Sequence, residues 1–350
     1  MSGAVAPPRR PGTALADQLH VLLRDIVGPA DCRLVVVSMS KDENPKATVL
    51  AFVGADRHPS LVVKVARTEG ASASVRREAV ALHRLATLDP ALVGHTVPRL
   101  VDTRSVDGRA VLVTTACAGQ PMSIPYHRWH HTASPALVGA DFAVAATWLR
   151  QLSALVTPDQ SGSAWPTGSS TDGVLELPDR ISRRWPGDPL AAEVTEWAEG
   201  RGRMLRVDRS GVVHGDFWCG NVLRAADRVS GVVDWEHAGW GDPLRDRVRF
   251  ALSYALYLDR HTPVGARVTG HRALVAGRWG DPIRYAVLGD TWFPSLVADF
   301  VGDGLVATGR SRGLWRDALV LGLVEIAATS DHAEFARRHL DLAAELGPWT

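Results

Sequence analysis

The chain has 350 residues, 46% of them hydrophobic, with 39 basic and 38 acidic side chains and a net charge of +1. That balance leaves no excess field to mark a nucleic-acid or membrane partner, and the apolar content is ample for one large or two ordinary cores. Cys32, Cys117 and Cys219 are too few and too scattered for a disulfide framework or a thiolate zinc site.

Met1 to Gly12 is Pro-rich and carries Arg9 and Arg10 with no apolar stretch behind them. It reads as a flexible N-terminus (1–12) and not as a secretion signal, so a cytoplasmic protein is expected. Ala14 to Val27 places Leu15, Leu19, Leu22, Leu23 and Ile26 at helical spacing. Three strand-like runs follow, Arg33 to Ser38, Ala47 to Val53 and Ser60 to Ala66, separated by turn residues such as Gly54-Ala55-Asp56, which predicts an antiparallel meander.

The chain holds only three lysines, Lys41, Lys46 and Lys64, all in this region, while arginine serves elsewhere. A compact ammonium suits a tight phosphate site in a way that a planar guanidinium does not. Lys64 lies in the apolar run Leu61-Val62-Val63-Lys64-Val65, an expensive place for a charge without a partner. Ala71 to Ala86 reads as a helix with Val75, Ala79, Leu82 and Leu85 on one face and Glu78 on its flank. Two more strands, Pro98 to Val101 and Ala110 to Thr115, flank an Asp107-Gly108 turn, and the breaker-rich Ala116 to Pro121 closes this part of the chain.

Tyr126-His127-Arg128-Trp129-His130-His131 clusters histidines, but no carboxylate or cysteine completes a zinc set at a recognised spacing, so a surface turn or substrate-facing segment is expected. Ala136 to Val156 predicts a long helix with Phe142, Ala145, Leu149 and Leu152 in its buried stripe; Asp159 to Asp172 reads as a loop and Glu193 to Leu205 as another helix. From Leu244 onward the pattern is helical, with apolar stripes through Leu244, Val248, Ala251 and Leu252, then Leu314 to Ala328, then Asp331 to Leu346 with Asp331 and Glu334 as its capping pair. Trp292, Phe293 and Trp315 are core aromatics or ring-stacking groups.

The chemistry concentrates between Gly211 and Arg245. Two short apolar runs, Gly211-Val212-Val213 and Gly231-Val232-Val233, each end in a turn bearing an acid, Asp216 and Asp234. Asn221 follows Asp216 by five residues, so one loop can present a carboxylate and an amide oxygen together. Such hard oxygen donors suit a Mg²⁺ that also holds phosphates, and one of the acids could instead accept a proton from an attacking hydroxyl. The bland alternative is a pair of turns with Asp at capping positions.

His214-Gly215-Asp216 with Asn221, followed by Asp234-Trp235-Glu236, resembles the signature of the aminoglycoside phosphotransferase and choline kinase family, which shares the protein-kinase fold. The resemblance implies an α+β, two-lobed architecture. A small antiparallel-sheet nucleotide-binding lobe would span 13–115, a hinge 116–121, and a larger, mainly helical catalytic and acceptor-binding lobe 122–350. It implies ATP, or GTP in its place, together with Mg²⁺. Asp216 would be the catalytic base, Asn221 and Asp234 metal ligands, and Lys64, paired with Glu78, a holder of the nucleotide's phosphates. Backbone groups from Thr115 to Cys117 would meet the adenine edge, His214 would be scaffold, and Asp242 and Asp246 would brace the catalytic loop.

The chain departs from the family pattern in two places. The loop from Ser38 to Lys46 has no glycine, so Ser38, Ser40 and one of Lys41 or Lys46 are expected to supply side-chain donors to the phosphates; a solvated hairpin is the alternative. Trp218 and Cys219 stand where other residue types are expected between Asp216 and Asn221. The implied reaction moves a γ-phosphoryl group to a hydroxyl of a small molecule: an aminoglycoside, another antibiotic, a sugar or an amino alcohol. A catalytically inactive nucleotide-binding protein of the same fold and a metal-dependent hydrolase are the rival readings, and oligomeric state stays open.

Overall fold

The computed structural model describes residues 11–39, 44–89, 91–92, 95–128, 133–155, 165, 173–206 and 210–349. Ser40, Lys41, the 129–131 part of the His-rich turn, and 159–172 apart from Trp165 lie outside the described residues, and Ser38 is described by its backbone alone. Two compact units divide the chain: Met1–Ala79 with Arg99–Ala116, and Val80–Pro98 with Cys117–Thr350.

The first unit is built on a five-stranded antiparallel sheet in the order β1-β2-β3-β5-β4, formed by β1 (Cys32–Met39), β2 (Lys46–Val53), β3 (Leu61–Ala66), β4 (Leu100–Val106) and β5 (Arg109–Thr115). Helix α1 (Pro11–Val27) covers one face. Pro11 and Gly12, expected in the flexible terminus, already open this helix. Alternation along the strands decides what is buried beneath it. Leu61, Val63 and Val65 of β3 join Val49, Ala51, Val111 and Val113 under Leu19, Leu22 and Leu23, which leaves Lys64 on the opposite face. The β4–β5 hairpin closes on Asp107 and Gly108, whose φ values of 49° and 75° are both left-handed, as a tight two-residue turn requires. β4 runs up to that turn and so is longer than the expected strand. Helix α2 (Glu69–Leu88) crosses from the first unit into the second.

The second unit is mainly helical, with α3 (Pro135–Ser153), α4 (Gly173–Arg184), α5 (Pro189–Leu205), α6 (Leu244–Ala255), α7 (Asp281–Leu288), α8 (Trp292–Ala307), α9 (Trp315–Thr329) and α10 (Ala333–Leu346). Two small antiparallel sheets sit among them. β6 (Gln120–Pro121), β8 (Val222–Ala225) and β9 (Arg228–Val232) form one; β7 (Gly211–Val213) and β10 (Gly239–Gly241) form the other. The architecture is therefore the expected α+β arrangement, a small antiparallel-sheet N-terminal part followed by a mostly helical C-terminal part.

Helix α6 ties this unit together. Phe250 and Tyr254 pack with Phe142 of α3 and Phe300 of α8 at ring-centroid separations of 4.9–5.7 Å. Beside them runs a buried polar chain: Tyr126 donates to Tyr254 and Tyr254 to Asp141, each at 2.7 Å, and Arg224 pairs with Asp141. Burial raises the Asp141 carboxyl above its ordinary range, and its hydrogen bonds to Tyr254 and Arg224 oppose that rise.

Helix α9 approaches α6 through Gly322, where an added Cβ would lie 2.2 Å from Cγ1 of Val248 and 3.0 Å from Leu252. Alanine would gain up to about 1 kcal/mol of helix propensity there, against about 1–3 kcal/mol for overpacking two stiff neighbours. Gly322→Ala should therefore lower stability, by up to about 2 kcal/mol, in a denaturant titration.

One expected cap is corrected. Helix α10 is capped by His332, whose Nδ1 accepts the Phe335 N–H at 3.1 Å, and not by the Asp331 and Glu334 pair. Phe293 is fully buried core, while the Trp292 indole donates to the Gly270 carbonyl at 2.9 Å.

Candidate active site

Strand β7 is buried at all three positions and releases the chain into His214-Gly215-Asp216. The two N–H groups that leave the strand are not lost to solvent: Asp246 of α6 accepts His214 N–H through Oδ2 at 2.7 Å and Gly215 N–H through Oδ1 at 2.9 Å. Gly215 has φ +80°, and a Cβ there would lie 2.2 Å from the His237 carbonyl oxygen, so only glycine lets the turn pass. His214 is fully buried. Its Nδ1 accepts Asp216 N–H at 3.2 Å and its Nε2 faces the Val233 carbonyl at 3.0 Å, which makes Nε2 the protonated nitrogen. Burial pushes this imidazole down to about 4, so it stays neutral at physiological pH and braces the loop.

The Asp216 carboxylate is held at both oxygens. Oδ1 accepts Nε and Nη2 of Arg249, at 3.0 and 2.8 Å, and Oδ2 accepts Nδ2 of Asn221 at 3.2 Å. Asn221 Nδ2 also donates to the Asp216 carbonyl at 3.1 Å, so two acceptors identify the nitrogen of that amide and turn Oδ1 to its other side. Asp234 follows β9 with φ 73° and ψ 60°, a left-handed conformation seldom taken by a non-glycine residue and characteristic of functional turns. Its neighbour Val233 joins the two acid-bearing loops, because the Val233 N–H donates to the Asn221 carbonyl at 3.0 Å while its own carbonyl meets the His214 ring. Asp216, Asn221 and Asp234 are thus gathered by one hydrogen-bonded frame. Their oxygens are the hard donors that suit a divalent cation such as Mg²⁺.

Elsewhere in the loop, Cys219 is fully buried and burial pushes its thiol up to about 12, which makes it an unreactive packing residue. Asp242 takes a two-pronged grip from Arg310, Nη1 to Oδ2 at 2.6 Å and Nη2 to Oδ1 at 2.8 Å, and accepts the Leu244 N–H at 2.9 Å. Asp246 braces the catalytic loop as expected, whereas the Asp242 carboxylate is held by Arg310 and the start of α6 and not by that loop. No motif in the sequence marks the partners Arg249 and Arg310. Arg249 carried one signal: it lies three residues after Asp246 on α6, hence on the same helical face as the residue that anchors the loop.

In the first unit Lys64 meets Glu78, with Nζ 2.7 Å from each carboxylate oxygen and side-chain exposures of 14% and 2%. The partnering expected for a lysine inside an apolar strand is therefore present. The Lys46 ammonium is 3.4 Å from Ser74 Oγ. The Thr115 N–H donates to the Arg99 carbonyl at 2.9 Å and the Ala116 N–H to the Ser60 carbonyl at 3.0 Å, so these two donors of the segment expected at the adenine edge are already engaged within the protein. In the second unit, Cys117 packs against Gly231 and its thiol is pushed up to about 11 by burial.

Residues 49–274 match the sequence model of the phosphotransferase enzyme family. The chain belongs to this family. A curated relative, viomycin phosphotransferase of Streptomyces vinaceus, is 40% identical over 76 residues, a stretch covering 21% of this chain and 23% of that protein. Among solved structures, aminoglycoside phosphotransferase APH(3'')-Id from Streptomyces rimosus aligns with a TM-score of 0.53 at 20% identity, over 88% of this chain and 98% of that one. A thermostable mutant of aminoglycoside phosphotransferase APH(4)-Ia, solved as a ternary complex with AMP-PNP and hygromycin B, aligns at 0.58 with 15% identity, over 95% and 99% of the two chains. At these identities the structural likeness speaks for the fold. Among the described residues no helix of this phosphotransferase-family chain is long and apolar enough to cross a membrane.

Proposed function

We propose that the protein transfers the γ-phosphoryl group of ATP to a hydroxyl of a small molecule, in the presence of Mg²⁺. The observation that carries this reading is the state of the Asp216 carboxylate. Its Oδ1 is filled by two guanidinium N–H groups, while Oδ2 accepts a single amide N–H and keeps a second lone pair for an incoming hydroxyl. The acceptor's oxygen attacks the γ-phosphorus, the bond from that phosphorus to the bridging oxygen breaks, ADP leaves, and Asp216 takes the hydroxyl proton.

Asp234 and the Oδ1 atom of Asn221 are the donors for Mg²⁺, which when bound would neutralise phosphate charge. Lys64, held by Glu78, offers an ammonium to the phosphates. Ser38, Ser40 and one of Lys41 or Lys46 keep the role that the glycine-free loop suggested. At the hinge, the Cys117 N–H and the carbonyls of Thr115 to Cys117 are the groups proposed for the adenine edge.

The test is transfer of label from γ-³²P-ATP by the purified protein to a panel holding hygromycin B, streptomycin, viomycin, choline and neutral sugars. A labelled acceptor with equimolar ADP is expected, and most of the rate should vanish when EDTA removes the metal. Equal phosphate release with and without acceptors would mark a hydrolase. Nucleotide binding with no release to anything would mark an inactive binder.

A further inference from the structure

Beside Asp216 the second unit presents a wall of rings that the reaction so far leaves unused. Trp218 lies two residues after Asp216, so their Cα atoms are at most about 7.6 Å apart. Its indole folds back on its own loop, where a Cβ on Gly220 would come within 2.2 Å of the ring. The ring is half-buried and lies 22° from parallel to Tyr257, with centroids 6.3 Å apart. His127 meets Tyr257 edge-on at 5.7 Å and Tyr126 meets it at 6.2 Å. Tyr126 is anchored from behind by its hydrogen bond to Tyr254. Trp218 and Tyr257 keep partial exposure and His127 is exposed, so this is a supported surface and not a closed core.

A cation lies against the Tyr257 end of the wall. The Arg260 guanidinium lies 5.4 Å from the Tyr257 ring centroid, and Arg249 grips Asp216. Asp259, next to Arg260, is the one acid among residues 256–262, and burial raises its carboxyl. Arg249 is neutralised by Asp216, so a polyammonium ligand stacked here would face the Arg260 guanidinium, whereas a flat uncharged ring gains from stacking and meets no repulsion.

The geometry points to Trp218, Tyr257 and His127 as the stacking subsite of the acceptor, which is then a hydroxyl compound carrying a planar aromatic face near the reacting oxygen and lacking a polyamine's charge. This rests on the phosphotransfer reading for what the neighbouring Asp216 does, but binding at the wall can be measured without turnover. The probes are 4-nitrophenyl β-glucopyranoside, its ring-free twin methyl β-glucopyranoside, and the polycation neamine, each titrated calorimetrically into the full chain saturated with a non-hydrolysable ATP analogue.

The aryl glycoside should bind at least about tenfold more tightly than its twin, and neamine no more tightly than the twin. Trp218→Ala and, separately, Tyr257→Leu should bring the ratio close to one, while Trp218→Phe should keep most of it; the two positions separate loss of stacking from loss of fold in either variant. A ratio near one in the wild type, a ratio untouched by either variant, or neamine as the tightest binder would each overturn the assignment. Ring-dependent binding without label transfer to any acceptor would instead count against phosphotransfer and leave the subsite standing.

Discussion

Replacing Asp216 with asparagine is expected to lower turnover about 10²- to 10⁴-fold, the usual contribution of a positioned general base, with nucleotide affinity nearly unchanged. Asparagine preserves the shape of the side chain but can take no proton from the acceptor. Its amide oxygen can still meet Arg249, so the loop keeps part of its grip. The bond from Asn221 Nδ2 to Oδ2 is lost, because two amide NH2 groups then face each other, but the remaining bonds of the loop, from Asn221 to the Asp216 carbonyl and those of His214 and Asp246, do not involve the substituted carboxylate. Arg249 is 30% exposed and water can solvate its guanidinium when the full negative charge is gone, so little change in stability should accompany the loss. Initial rates of label transfer and equilibrium binding of the ATP analogue together decide the matter. Turnover at the wild-type rate would remove Asp216 from the role of base, and lost nucleotide binding would place it at the phosphates instead.

What could be read from the sequence follows the range of the interaction. Lys64 was legible because one charged residue in a two-residue apolar rhythm demands a partner, and Glu78 lies only 14 residues away on the next element. The two acid-bearing turns were legible because each directly follows a short apolar run. Arg249 and Arg310 were not, since they reach Asp216 and Asp242 across 33 and 68 residues and nothing local marks which of many arginines will do so. β6, β8 and β10 are two to four residues long, too short for any periodicity to register. Helix α4 contains Pro178, which the rules of local pattern read as a break. At α10 the acid Asp331 looked like the cap, but the cap belongs to the residue with extended backbone and an acceptor in reach of the third amide, and that residue is His332. The aromatic wall shows the same limit: Trp218 was conspicuous in its loop, yet only the fold brings Tyr257 to it and His127 to Tyr257.

Asp246→Ala should reduce turnover about a hundredfold, an effect far larger than its effect on stability at neutral pH. Asp246 is 1% exposed, and its two oxygens are the acceptors for the His214 and Gly215 N–H groups that set the entry to the catalytic loop. Without them two buried donors lose their partners, at about 1–3 kcal/mol each, and the loop is free to shift. An opposing effect comes from the charge itself. Burial pushes the carboxyl from 3.8 up to about 6, against the pull of the two N–H bonds and of Arg245. Because the folded-state value lies above the unfolded one, the folded state favours the protonated form. The group's stabilisation is full below about pH 4, falls as the pH rises through about 6, and stays at its lower level above that. The step corresponds to about 3 kcal/mol, comparable to the benefit of the two hydrogen bonds. The stability lost in Asp246→Ala should therefore be small at pH 7.5 and distinctly larger at pH 4.5, measured by denaturant titration at both. Activity at pH 7.5 should fall regardless, because a carboxylate that stabilises the fold little at that pH still fixes where Asp216 stands. A variant that loses stability equally at both pH values would show that the buried carboxyl titrates as it does in water; one that keeps full turnover would show that the loop holds its shape without it.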